Sequence, residues 1–213
     1  MLNILDQESG VVIKQVKELV EVLGFETRNK YEIYTQSGKQ IGFAAEQQKG
    51  FVGMCLRQIL GHWRNFDIHV FDNQRQEQLI AHHPFRFYFQ RLEIQDAAGR
   101  SLGYLEKQFS ILTKRFVVYD ELEHESSRME SGLFRIWTFP FKRNGKEIAR
   151  ISKKWGGAMT EMFLDADTLL LEFLDPTLRP NEKAVLLASA IFVDLLYFEN
   201  NQATFSIGGA FSD

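Results

Sequence analysis

The stretch KRNGKEIARISKKWGG brings Lys142, Arg143, Lys146, Arg150, Lys153 and Lys154 together beside Trp155. Cations at this density suit phosphate-bearing ligands, and an indole next to them suits the headgroup layer of a bilayer. Lys142, Arg143, Lys146, Lys153, Lys154 and Trp155 are therefore candidate lipid-binding residues. A solvated hairpin whose charges keep a sheet edge soluble would carry the same side chains. A second candidate is GFVGMCLRQILGHW, residues 50–63, where Phe51, Val52, Cys55, Leu56, Ile59, Leu60 and Trp63 share one helical face and Arg57 lies elsewhere. Such a helix either lies in a membrane interface, with Phe51, Leu56, Trp63 and Arg57 as contacts, or caps an open end of a larger fold. The third is DADTLLLEFLDP, residues 165–176, which opens like a calcium loop with Asp165 and Asp167 at the first and third positions. Its sixth and twelfth positions, Leu170 and Pro176, depart from the glycine and bidentate acid of a helix–loop–helix site. Asp165 and Asp167, with Asp175 nearby, remain candidates for a weak Ca2+ site at a strand end.

Covalent chemistry finds little support. The chain has no G-x-S-x-G elbow, no H-E-x-x-H, no phosphate-cradling glycine loop and no dinucleotide fingerprint. Its histidines are dispersed, and the adjacent His82 and His83 are expected to mark a turn before Pro84. The single cysteine, Cys55, excludes an intrachain disulfide and a thiolate zinc cluster. A formal net charge of −3 lacks the global basic excess of a nucleic-acid binder, so any basic site must be local. The acidic DELEHESSRME, residues 120–130, reads as a solvated hairpin tip. The catalytic set is empty and the chain is read as no enzyme.

Strands must position these residues. Nineteen Phe against four Pro leans towards β structure, and alternating apolar residues recur around polar or glycine turns in segments 31–46, 66–82, 91–107, 109–121 and 134–155. FRFYFQ, residues 85–90, alternates as well, with its Phe face expected in the core. One amphipathic helix is expected at residues 11–24, from the spacing of Val12, Val16, Leu19, Val20 and Leu23 and a stop at Gly24. Strands are expected over 25–180, a central helix over 182–199 and a tail over 200–213, all in one domain. EKAVLLASAIFVDLLYFE, residues 182–199, is apolar all round, but only about 15 residues lie between its charged flanks, worth roughly 22 Å where a bilayer core needs about 30 Å. Asp194 inside it would cost on the order of 3 kcal/mol at mid-bilayer. A barrel closed around this helix satisfies the sheet and the helix together. In that setting Asp194 is a buried polar residue that needs a hydrogen-bond donor.

The blocks FETRNKYEIYTQSGKQIGFAAE, RLEIQDAAGRSLGYLEK, ARISKKWGGAMTEMFLDADTLLLEF and KAVLLASAIFVDLLYFE, in that order, resemble the phospholipid scramblase family, within the tubby-like superfamily. The resemblance implies a mainly β fold, a closed antiparallel barrel of about twelve strands around a buried C-terminal helix. It further implies calcium-stimulated, ATP-independent movement of phospholipid between leaflets, or binding to an anionic phospholipid surface, with the family's acidic segment falling on Asp165 and Asp167. Animal members carry a palmitoylated cysteine stretch before the block matched by RLEIQ; HHPFRFYFQ has no cysteine there, so no covalent lipid anchor of that kind is expected. With no secretory signal in MLNILDQESG, the expected location is cytoplasmic, peripheral at the inner face of a membrane. The competing expectation is a soluble tubby-like module that meets a protein or nucleic-acid partner.

Overall fold

Alternation becomes strand pairing among the described residues. In the computed structural model, whose described residues are 1–16, 27–48, 65–84, 90–110, 113–132, 137–153 and 168–197, a short helix α1 (Leu2–Gln7) precedes β1 (Gly10–Val16). The meander runs through β2 (Thr27–Thr35), β3 (Gln40–Gln48), β4 (Phe66–Asp72), β5 (Glu77–His83), β6 (Arg91–Asp96) and β7 (Ser101–Gln108). It continues through β8 (Thr113–Tyr119), β9 (Glu125–Gly132), β10 (Thr138–Arg143), β11 (Lys146–Lys153) and β12 (Thr168–Phe173), and helix α2 (Pro180–Tyr197) follows. Each strand lies antiparallel to its neighbours, and β1 closes the barrel by pairing with both β2 and β12, so Ile13 faces Ile33 on one side and Leu169 on the other. Closure removes every sheet edge, the usual liability of a β protein. The twelve-stranded barrel is the expected fold.

The turns follow from residue type. Asn144 and Gly145, at φ 50° and 80°, form the tight link between β10 and β11 that matches the right-handed strand twist. Inward positions of the strands, among them Ile33, Ile68, Leu92, Leu105, Phe116, Phe139, Phe141 and Ile151, surround α2. The helix is buried from Glu182 to Leu196. Each fully buried Leu, Ile or Phe on it contributes about 1.5–3 kcal/mol over exposure. Its first turn is built for starting a helix: Pro180 comes first, and the Glu182 carboxylate accepts the Arg179 N–H at 2.9 Å. Asp194, only 4% exposed, accepts the Tyr31 hydroxyl at 3.0 Å. The buried helix and its polar partner agree with expectation.

Several expectations are corrected. Residues 10–16 of the N-terminal region form β1, where a helix over 11–24 was expected; the described N-terminal helix is α1. The helical spacing omitted Val11 and Ile13, which enter the core, while Val12 packs outside the barrel with Leu170 and Tyr34. Burial on both faces hides the period of two, and β-branched residues favour the strand. Strands therefore run from Gly10 to Phe173 where 25–180 was expected, and the helix begins at Pro180 where 182 was expected. His82 and His83 belong to β5 and mark no turn: His82 bonds Asp67, and His83 stacks on Phe66 and meets Phe192. The acidic segment makes a turn only to His124, and Glu125 onwards is β9. Residues 17–26, 85–89 and the tail from 198 lie outside the described residues.

Replacing Tyr31 by Phe removes a donor from a buried carboxylate at almost no change in volume. The expected loss is about 1–3 kcal/mol, read from the denaturant midpoint of unfolding. An unchanged midpoint would show that Asp194 does not depend on this phenol.

Candidate functional site

The described residues of the basic stretch do not gather at one place. Lys142 and Lys146 stand exposed at the tip of the β10–β11 hairpin. Arg143 between them is committed: its Nε donates to the Ser126 carbonyl at 2.9 Å, and its Nη2 donates to the Ser126 hydroxyl at 3.1 Å and pairs with the Glu182 carboxylate. At a strand rise of roughly 3.3 Å per residue, Lys153 sits about 23 Å from Lys146, at the opposite end of the barrel. There it is 9% exposed, and its backbone N–H donates to the Trp137 carbonyl at 2.9 Å. Arg150 is paired with Glu147 at 2.6 Å. Lys154 and Trp155 lie outside the described residues, as do Phe51, Leu56, Arg57, Trp63, Asp165 and Asp167.

At the hairpin end, a groove of about 540 Å³ is lined by Glu125, Ser126, Arg128, Lys142, Arg143 and Asn144, among others. Its cations are mostly neutralised, because Arg128 makes a two-pronged contact with Glu125 and Arg143 is held by Glu182. Burial by itself would raise the Glu182 carboxyl. The Arg179 N–H, the Arg143 charge and the Ser126 hydroxyl outweigh that and hold it below the usual glutamate range. Arg179 extends the network to Glu121 at 3.0 Å. At the same end Lys183 donates to the carbonyls of Leu5, Asp6 and Glu8 at 3.3, 2.5 and 3.1 Å, which supplies the positive charge that the last turn of α1 lacks. These groups fasten the N-terminus of α2 to two hairpins and to α1.

The other end, around the C-terminus of α2, is different. Inward rows that are apolar at mid-barrel turn polar here: Leu105 is followed by Lys107 on β7, Phe116 is preceded by Lys114 on β8, and Ile151 is followed by Lys153 on β11. Across the lumen, Gln15 donates to Asn29 at 3.0 Å and Asn29 to Glu46 at 2.6 Å. The Lys114 ammonium lies 4.0 Å from the centre of the Tyr197 ring and 5.2 Å from that of Phe139, and Lys107 lies 6.0 Å from Tyr197. Among the described residues no carboxylate pairs with either lysine. Burial pushes both ammoniums down, and the Lys107 charge lowers Lys114 further. Burial pushes the Tyr197 phenol up. Phe109, 81% exposed, and Trp137, 40% exposed, flank this mouth.

Lys107 and Lys114 were missed in the sequence, where they fall in two separate hairpin segments. Their signal is parity. The register Lys107↔Phe116 and Gln108↔Arg115 puts both lysines on the inward face, diagonal to one another, a separation of about 7–8 Å. Among the described residues no group of three His, Cys, Asp or Glu could hold a metal ion. Asp175, described, accepts the backbone N–H and the hydroxyl of Thr177, a turn-capping role. Nor is any described helix long and apolar enough to cross a membrane.

Comparison with known proteins places this architecture. A family model described as Scramblase matches residues 1–200. Phospholipid scramblase 1 of Homo sapiens is 32% identical over 216 residues, covering 93% of this chain and 66% of its own length. Phospholipid scramblase 2 of Bos taurus is 33% identical over 215 residues, with 93% and 71% covered. Phospholipid scramblase family member 5 of Homo sapiens is 29% identical over 218 residues, with 95% and 78% covered. The chain thus spans slightly less than two thirds of the first of these relatives. No solved structure gives a significant match.

Because the folded Glu182 carboxyl is depressed, its contribution is fully present above the ordinary glutamate range and fades as pH falls through the lowered value. Glu182→Gln is expected to cost about 2 kcal/mol at pH 7, and the gap between variant and parent in thermal midpoint should shrink on acidification towards pH 3. A gap that stays constant over that range would refute the assignment.

Proposed function

The chain belongs to the scramblase family, and from that premise we propose that it works at an anionic phospholipid surface, binding lipid there and passing phospholipid between leaflets without ATP and without covalent chemistry. The observation that carries the reading is the family match over residues 1–200, which takes in the whole barrel and α2. The geometry limits how such a protein could act. Its lumen is filled by α2 and the side chains around it, so a lipid cannot thread the barrel. Headgroups must be met at the ends or on the outside while the tails remain in the bilayer.

The mode we propose is peripheral, at the cytoplasmic face of a membrane. A net charge of −3 gives no general attraction to an anionic leaflet, so attachment depends on local clusters, each Lys or Arg near the surface adding about 1 kcal/mol. The exposed Lys142 and Lys146 at the hairpin tip and the lysines of the opposite mouth are the described candidates. Any calcium would be held by Asp165 and Asp167, since Asp175, the described neighbour, is spent on Thr177.

Flotation with vesicles of phosphatidylserine and phosphatidylcholine, against phosphatidylcholine alone, tests the binding half. Co-flotation with the anionic vesicles only, weakened as salt rises, is the expected result. For transport, the protein is reconstituted into vesicles carrying a fluorescent phospholipid, and a leaflet-selective quencher is added with and without calcium. Quenching should extend beyond the outer-leaflet pool. Quenching equal to that of protein-free vesicles under both conditions would remove the transport claim, and failure to float would leave a soluble interaction module.

A further inference from the structure

We infer that the barrel mouth at the C-terminus of α2, with Lys107 and Lys114 over the Tyr197 ring, is where the anionic headgroup of a membrane phospholipid binds. This rests on the proposed lipid-surface function and assigns it to one end of the molecule. Two ammoniums reach the same aromatic ring from neighbouring strands, and among the described residues no carboxylate answers them. Like charges so placed repel, and a phosphate between them would turn that repulsion into two charge-assisted hydrogen bonds. The partly buried setting strengthens such bonds relative to water.

Two structural explanations compete. A lysine often lays its stem on apolar surface and sends the charge to water, but here burial depresses both ammoniums and the first adds its charge to the burden of the second. The lysines also complement the negative end of the α2 dipole, since the last turn of α2 has no basic residue of its own. That explains one cation well; it does not explain the exposed aromatic rim. Phe109, two residues beyond Lys107, and Trp137, two before Phe139, are exposed apolar surface at the same end as the two ammoniums, which a soluble anion has no use for and which the headgroup–acyl boundary accommodates. The hairpin end lacks this pairing, as most of its cations already hold carboxylates.

The test compares the parent chain, Lys107→Gln/Lys114→Gln, Lys107→Arg/Lys114→Arg and Lys142→Gln/Lys146→Gln for affinity to phosphatidylserine vesicles, with thermal midpoints measured alongside. The mouth Gln variant should bind about thirtyfold more weakly at low salt, with a midpoint equal to or above the parent's, because two poorly solvated charges have gone. The Arg variant should retain binding, and millimolar inorganic phosphate should compete poorly, as the rim recognises lipid. Unchanged vesicle affinity in the mouth Gln variant overturns the inference, as does equal loss in the Arg variant. If the parent binds and only the hairpin variant loses affinity, the lipid-surface reading stands and the mouth does not. If the parent binds no vesicle, both fall together.

Discussion

A helix with apolar side chains on every face has two stable surroundings, lipid or protein, and α2 takes the second. Everything else in the structure follows from enclosing it. An enclosing sheet must curve until its edges meet, hence the pairing of β1 with both β2 and β12. Inward positions must be large and apolar along most of the helix: Phe66 and Phe116 pack on Phe192, and Phe116 and Phe139 on Tyr197 nearer the helix end. The single carboxylate deep in the helix, Asp194, must bring its donor from a strand, and Tyr31 is long enough to cross the gap.

Enclosure leaves the polarity of the helix at its ends, and the two ends are handled differently. At the N-terminus the positive end of the dipole meets Glu182, which then recruits Arg143, Ser126 and Arg179, so the charges around the helix start find opposites. Lys183, one residue on, turns towards α1 and closes that end of the barrel with backbone carbonyls. At the C-terminus the negative end of the dipole faces Lys107 and Lys114, and the cations are answered by ring faces, which are weaker partners than carboxylates. The helix start is thus answered by opposite charge, whereas the cations at the helix end face, among the described residues, only aromatic rings.

How far the sequence reveals this depends on whether the relevant distance runs along the chain or across it. The central helix was legible because its length and Asp194 left one solution. The hairpins were legible from turn residues such as Gly38 and Asn144-Gly145, whose backbone angles few other residues accept. β1 was not, because Val12 is buried outside the barrel while Val11 and Ile13 are buried inside it, and the period of two vanished. The spread of the basic run was not legible for another reason. On a strand, residues close in sequence separate quickly, and Lys146 and Lys153 reach opposite ends. Lys107 and Lys114 show the converse: separated in the chain, they become neighbours only once the β7–β8 register is known.

A full lumen also constrains mechanism. A hollow barrel can conduct, whereas a filled one can only bind at its ends or perturb what lies around it. If the mouth takes an anionic headgroup, the ligand does more than attach the protein. It relieves the repulsion between Lys107 and Lys114 and the cost of burying them, so binding and folding are linked, and a ligand that prefers the folded state stabilises it. The same lysines offset the dipole of α2, so an anion at the mouth competes with the helix end for their charge. Lipid contact would then be felt along the enclosed helix, whose far end is fixed by Glu182 and Lys183.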